Sequence, residues 1–180
     1  MEAQDLNEPH LPTLEQMQQW TEVMGRAQQL LLEQAAGATG RALPFDADAV
    51  ARIQTGFANE GLALWQRFLD SGGMLREQPE PPPPGSPAAR KDRRFADPAW
   101  SNHPFYDLVR QSYLLLSDYL LKLTDAVDGV DPKQKARLRF ATSGVLDAVA
   151  PSNFPLTNPQ VMEKTLQSGG ENLVKGLQHM

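Results

Sequence analysis

The chain contains no cysteine. That absence excludes disulfides, thiolate metal sites and thiol catalysis, and it fits a reducing compartment without proving one. Long apolar runs are missing too: the most apolar stretch, residues 113–123, is broken by Ser117, Asp118 and Lys122, far short of the ~20 apolar residues that span a bilayer. The opening residues, Met1 to Glu8, carry no basic segment followed by an apolar one, so no signal peptide is read and the cytoplasm is the expected compartment. A strong basic excess is also lacking. The net charge is -5, and it is unevenly spread: residues 1–35 hold six acids against Arg26, whereas residues 88–140 hold ten bases against seven acids. That opposed polarity is not the footprint of a nucleic-acid-binding domain.

Catalytic signatures are equally scarce. There is no Gly-x-Ser-x-Gly or Gly-x-Cys-x-Gly elbow, no phosphate-binding Gly-x-x-x-x-Gly-Lys loop, no His-Glu-x-x-His helix and no dinucleotide fingerprint. The three histidines, His10, His103 and His179, have no partners at metal-ligand or triad-like spacing. The serines have neither a recognisable base nor an oxyanion hole to activate them. No catalytic, cofactor-binding or metal-ligating residue is assigned.

What the chain does have is helical periodicity. Thr13 is placed to cap a helix over about 13–35, with Gln16 completing a capping box and Leu14, Met17, Trp20, Met24, Ala27 and Leu31 in one apolar stripe. Asp46 is a good N-cap for a second helix to about residue 70, which puts Val50, Ile53, Phe57, Leu64 and Phe68 on one face before Gly72-Gly73 ends it. Gly56 and Gly61 weaken that helix by roughly 1 kcal/mol each relative to alanine. Residues 78–92 follow as a Pro-rich linker, its unbroken run Pro81 to Pro84 favouring an extended, semi-rigid spacer. This divides the chain into a variable helical arm (1–77), the linker (78–92) and a motif-dense helical domain (93–180).

Within that last domain, His103-Pro104 starts a long helix to about Ala126, and Asp131-Pro132 starts another, with Gln134 at the reciprocal capping position. Ala136, Phe140, Val145, Leu146 and Val149 of the latter are expected to be buried, and Pro151 stops it. Asn158-Pro159 opens a short helix ended by Gly169-Gly170, and the segment with Leu173, Val174 and Leu177 runs off at Met180, which reads as a cut. No strand pattern survives. The expected fold is all-α: an amphipathic arm, the Pro-rich linker and a compact bundle of three or four helices.

Seven local signatures lie in the motif-dense half: Arg93 to Trp100, Gln111 to Leu115, Arg137 to Ala141, Asp147-Ala148, Pro151 to Phe154, Thr157 to Pro159, and Gly169 to Leu173. Each alone is weak. In this order and spacing they resemble the N-terminal region of class I polyhydroxyalkanoate synthases, the polymerases of poly(3-hydroxybutyrate). The resemblance runs from Asp92 to Met180, and the first 75 or so residues match only as a variable helical arm. Ser143-Gly144 and Gln160 depart from the usual pattern.

The resemblance implies that catalysis belongs to a cysteine, a histidine and an aspartate on a following α/β-hydrolase domain, where (R)-3-hydroxyacyl-CoA is polymerised and coenzyme A released. It implies a non-catalytic role for these residues in homodimerisation, granule association and support of that domain at the cytoplasmic polyester granule surface. Partners would be the catalytic domain of the same polypeptide and the granule surface or granule-associated proteins. Two rival readings remain: a free-standing granule-associated or regulatory helical binding protein, and a serine hydrolase that would need a strand-turn-helix elbow.

Interaction candidates follow. Met17, Trp20, Met24 and Leu31 form either a partner-binding face or a seam against the helix at 47–70. Trp100, Phe105 and Tyr113 form either a docking surface for the catalytic domain or ordinary core, the commoner fate of large aromatics. Arg93 and Arg94 pair either with Asp97 or with the catalytic domain. Lys133, Lys135, Arg137 and Arg139 form two i,i+4 basic pairs that either meet coenzyme A phosphates or a polymer surface or, the commoner outcome, make a solvated helix face or domain-interface charge, and Asn153 and Asn158 read as capping and turning residues.

Overall fold

The computed structural model describes residues 46–76, 78–154 and 157–167. The helix expected over 13–35, with Met17, Trp20, Met24 and Leu31, lies outside them, as do Gly169-Gly170 and the segment after it. The fold is all-α: α1 (Ala47–Asp70), α2 (Ala99–Asn102), α3 (Pro104–Asp125), α4 (Pro132–Ala148) and α5 (Pro159–Gln167), with short 3-10 turns at Gly73–Leu75, Pro87–Ala89, Arg93–Phe95 and Pro151–Asn153.

Helix boundaries follow local chemistry. The Asp46 carboxylate accepts from the backbone N–H groups of Asp48 and Ala49, both at 3.0 Å, satisfying donors that a helix start leaves unpaired. α1 stops at Ser71, after which Gly72 takes a left-handed φ of 96° that a side chain would resist. His103 caps α3, its Nδ1 accepting from the Phe105 N–H at 3.2 Å, and Pro104 occupies the first turn. Asp131 and Gln134 close a reciprocal capping box on α4. The Asn158 side chain accepts from the N–H groups of Gln160 and Val161 at the start of α5.

α3 is the central element. It packs against α1, α2 and α4, and against the turn at Pro87–Ala89. On the α1 side, Phe57 stacks on Tyr119 with ring centroids 4.4 Å apart, and Leu64 is buried. A Cβ built on Gly61 would sit 3.9 Å from the Leu115 side chain, so the helices come close there. On the α4 side, the Thr124 and Thr142 hydroxyls meet at 3.1 Å and Leu146 is buried.

α4 buries a different face from the one its apolar pattern predicts. Phe140 is 81% exposed and Ala136 also faces solvent, whereas Thr142 and Leu146 are the buried residues of this helix. A mixed, weakly amphipathic sequence leaves more than one face open to choice, and contact with α3 selects the one through Thr142 and Leu146. Three of the four basic residues follow the solvated reading: Lys133, Arg137 and Arg139 are exposed, with Arg139 paired to Asp125 at the end of α3, whereas Lys135 is half-buried.

The Pro-rich stretch ends inside the bundle. Ala88 is buried with Phe95, Trp100, Val109, Tyr113, Leu114 and Ala150 in one apolar cluster. Its carbonyl accepts from Arg110 Nη1 at 3.2 Å. Arg110 in turn donates through Nε (3.1 Å) and Nη2 (2.6 Å) to Asp107, which also accepts from Gln111 at 2.7 Å. All three side chains are buried, and their mutual bonds satisfy the charges they carry.

Candidate interaction surface

The signature Arg93 to Trp100 folds around the base of α3. A short 3-10 turn, capped by Asp92 accepting from the Arg94 N–H at 2.9 Å, turns Phe95 inward and Arg94 along the surface of the bundle. Phe95 meets Trp100 edge-on at 4.8 Å and Tyr113 at 5.5 Å, and Trp100 meets Tyr106 at 5.9 Å. Trp100 and Tyr113 are fully buried. Phe105 is partly buried, packed beside Tyr106 at the edge of the same cluster.

Arg94 ties three segments together. Its guanidinium makes a two-pronged bond to Asp92, Nε at 3.0 Å and Nη2 at 2.6 Å. Nη1 donates at 2.7 Å both to the Tyr113 hydroxyl and to Asp147 at the end of α4. The Tyr113 hydroxyl passes its own proton on, donating to the Leu146 carbonyl at 2.6 Å. Arg94 therefore pairs with Asp92 and Asp147, and not with Asp97. Asp97 instead caps Ala99 and accepts from Gln160 of α5. Arg93, one residue earlier, is exposed.

Charge states in this clamp are held by their partners. The side-chain bond from Arg94 is the main reason the Asp92 carboxyl lies below its ordinary value, and the reciprocal bond raises Arg94 above its own. Burial pushes the Tyr113 phenol up, which keeps it protonated and able to donate. Burial lowers His103, which suits an Nδ1 that must stay unprotonated to accept from Phe105.

Around the next turn, Asn153 donates to the Asp147 carbonyl at 2.7 Å, and Asn158 to the Ser152 carbonyl at 2.7 Å. Both asparagines turn the chain, as their sequence context suggested. The Asp107–Arg110–Gln111 cluster was not picked out from sequence. Its signal is legible afterwards as Asp-x-x-Arg-Gln at one-turn spacing inside an apolar helix.

Phe95, Trp100 and Arg94 of the signature are thus held within the bundle. What faces solvent is different: Leu62 (60% exposed), Trp65 (52%) and Leu69 (66%) in one row on α1, and Phe140 on α4. No group of three or more His, Cys, Asp or Glu among the described residues could hold a metal ion, and none of the described helices is long and apolar enough to cross a membrane.

The arrangement defines a small helical bundle whose polar groups lock its own turns in place. Residues 91–180 match the family described as the poly-beta-hydroxybutyrate polymerase (PhaC) N-terminus, and the chain belongs to that family. Similar curated proteins include the poly(3-hydroxyalkanoate) polymerase subunit PhaC of Rhizobium etli, 39% identical over 130 residues, covering 72% of this chain and 20% of that protein. The poly(3-hydroxyalkanoate) polymerase of Methylorubrum extorquens is 34% identical over 134 residues, 73% of this chain and 21% of that one. The PhaC subunit of Cupriavidus necator is 34% identical over 128 residues, 71% and 20% respectively. The chain spans about one fifth of the length of these relatives. No solved structure matches.

Proposed function

We propose that this chain acts as a non-catalytic accessory region of a polyhydroxyalkanoate polymerase, an acyltransferase that joins (R)-3-hydroxyacyl units from coenzyme A thioesters into polyester. Its work is to support the catalytic domain, dimerisation and attachment to the granule surface in the cytoplasm. The observation that carries this reading is the family match over residues 91–180, which begins at the Arg94 clamp and takes in every helix after it. Two further facts support it. The chain has no cysteine to act as an acyl carrier, and Arg94 of its signature segment is engaged with Asp92 and Asp147 of the same bundle.

The test has two arms. Purified chain incubated with 3-hydroxybutyryl-CoA is expected to release no coenzyme A; release above a buffer blank refutes the non-catalytic role. Joined ahead of a related polymerase's catalytic domain that lacks this region, the chain is expected to raise the initial polymerisation rate. An unchanged rate refutes the supporting role.

A further inference from the structure

α1 carries two apolar seams. The inner one, with Phe57 and Leu64, packs on α3. The outer one, turned about 120° around the helix, consists of Ala51, Thr55, Ala58, Leu62, Trp65 and Leu69, every one of them exposed. The steps between them are four, three, four, three and four residues, the repeat of a helix seam that meets another helix. A continuous row about 27 Å long with a tryptophan in it is unlike apolar residues scattered singly over a surface. The Thr55 hydroxyl donates to the Ala51 carbonyl at 2.8 Å, so it brings no unmet donor into an apolar layer.

We infer that this seam is a homodimer interface, in which α1 pairs antiparallel with α1 of a second copy about a two-fold axis. Three features of the seam select that occupant. The first is spacing: the series four, three, four, three, four reads the same in both directions, so the row lies on its own reverse without a slip, as an isologous contact demands. The second is size. The small residues Ala51, Thr55 and Ala58 take the N-terminal half of the row and the large Leu62, Trp65 and Leu69 the C-terminal half. Reversal therefore sets Ala51 against Leu69, Thr55 against Trp65 and Ala58 against Leu62, each pair occurring twice, so that all six layers join a large side chain to a small one. Other pairings lose this. A parallel pair stacks each large residue on its own copy, and an antiparallel pair slipped by one heptad either sets Leu62 against Trp65 or leaves Trp65 and Leu69 uncovered. The third is charge. Gln54, Gly61 and Phe68 flank the row on the α3 side, and Arg52, Asn59 and Gln66 on the other. Only Arg52 among them is charged, and it falls beside Gln66 of the second copy, so no like charges oppose the approach. This pairing rests on the dimerising role proposed above and gives it a face. Association is read without any catalytic domain, so a failure here is distinct from a failure of the rate assay that tests catalytic support.

Sedimentation equilibrium of the full 180-residue chain is expected to show a dimer that dissociates on dilution. Ala58→Glu puts a charge at the middle of the row, at a position exposed in the single chain, and is expected to be monomeric with the parent's far-UV circular dichroism. A parent that stays monomeric throughout the dilution series, or a dimer that Ala58→Glu leaves intact, overturns the interface. Orientation is read by cross-linking, which the absence of cysteine makes direct. Arg52→Cys, Asn59→Cys and Gln66→Cys, made singly, stand at exposed positions beside the row and leave it unaltered. In the antiparallel pair residue 59 lies across from its own copy and residue 52 across from residue 66, whereas the two copies of residue 52 are separated by about 24 Å along the helices. A short bifunctional thiol reagent is expected to join Asn59→Cys to itself. It is expected to join Arg52→Cys to Gln66→Cys in a mixture at least about tenfold faster than either chain to itself, since packed helix axes lie about 8–10 Å apart. Arg52→Cys or Gln66→Cys reacting alone as fast as the mixture overturns the antiparallel register.

Discussion

Removing the Tyr113 hydroxyl isolates what the Arg94 clamp contributes. In Tyr113→Phe the ring stays in its place between Phe95 and the α4 backbone, and no cavity forms. Two bonds are lost: the donation to the Leu146 carbonyl at 2.6 Å and the acceptance from Arg94 at 2.7 Å. Leu146 is 3% exposed, so water does not readily replace the phenol at its carbonyl. An orphaned buried acceptor costs about 1–3 kcal/mol. Arg94 keeps Asp92 and Asp147, so its own loss falls at the low end of the range for bonds to charged groups. A net destabilisation of about 2 kcal/mol follows, equivalent to a melting-point drop of roughly 4–8 °C for a chain of this size. Urea unfolding followed by far-UV circular dichroism measures it, with the slope unchanged and the midpoint lowered. The same substitution in an Arg94→Leu background is expected to cost less, because the two groups share a bond. A Tyr113→Phe midpoint indistinguishable from the parent's refutes the claim that this hydroxyl joins α3 to α4.

Three further outcomes are expected. Gly56→Ala and Gly61→Ala each raise stability by up to about 1 kcal/mol, because a Cβ at residue 56 meets nothing within 4 Å and at residue 61 only an ordinary contact with Leu115; a loss at residue 61 would show that α1 and α3 approach more closely. Leu146→Ala costs about 2–5 kcal/mol whereas Phe140→Ser stays within about 0.5 kcal/mol, and a reversal of that order in thermal unfolding refutes the face assigned to α4. For His103, burial sets the folded pKa below the ordinary 6.5, so the unfolded chain binds the proton more readily and stability falls as pH drops from 6.5 through that lowered value. His103→Asn, which keeps a capping side chain without titrating, is expected to flatten this part of the stability profile; an unchanged slope rules His103 out as its source.

Much of this protein is local and was legible in the chain. Asp46, His103, Asp131 and Asn158 announce helix starts because a capping side chain reaches only two or three residues along, and each caps a helix in the structure. Gly72 and Pro151 mark ends for equally short-range reasons, one accepting a left-handed φ and the other lacking an N–H. Family membership was readable too, since it rests on the order of short signatures.

Choices between distant partners were not readable. The pattern allowed Arg94 to pair with Asp97, three residues away, but the fold delivers Asp147 from 53 residues away, along with Asp92. A Pro-rich run predicts an extended spacer, but it does not say that Ala88 will enter the core or that its carbonyl will be met by Arg110. Nor does periodicity say which face of α4 turns inward, and Phe140, apolar and expected inside, is exposed for that reason. Caps, turns and helical repeats are set by neighbours along the chain and so belong to the sequence. Which acid neutralises Arg94 and which side of α4 stays wet depend on groups brought together only when the helices pack, and the tertiary structure alone decides them.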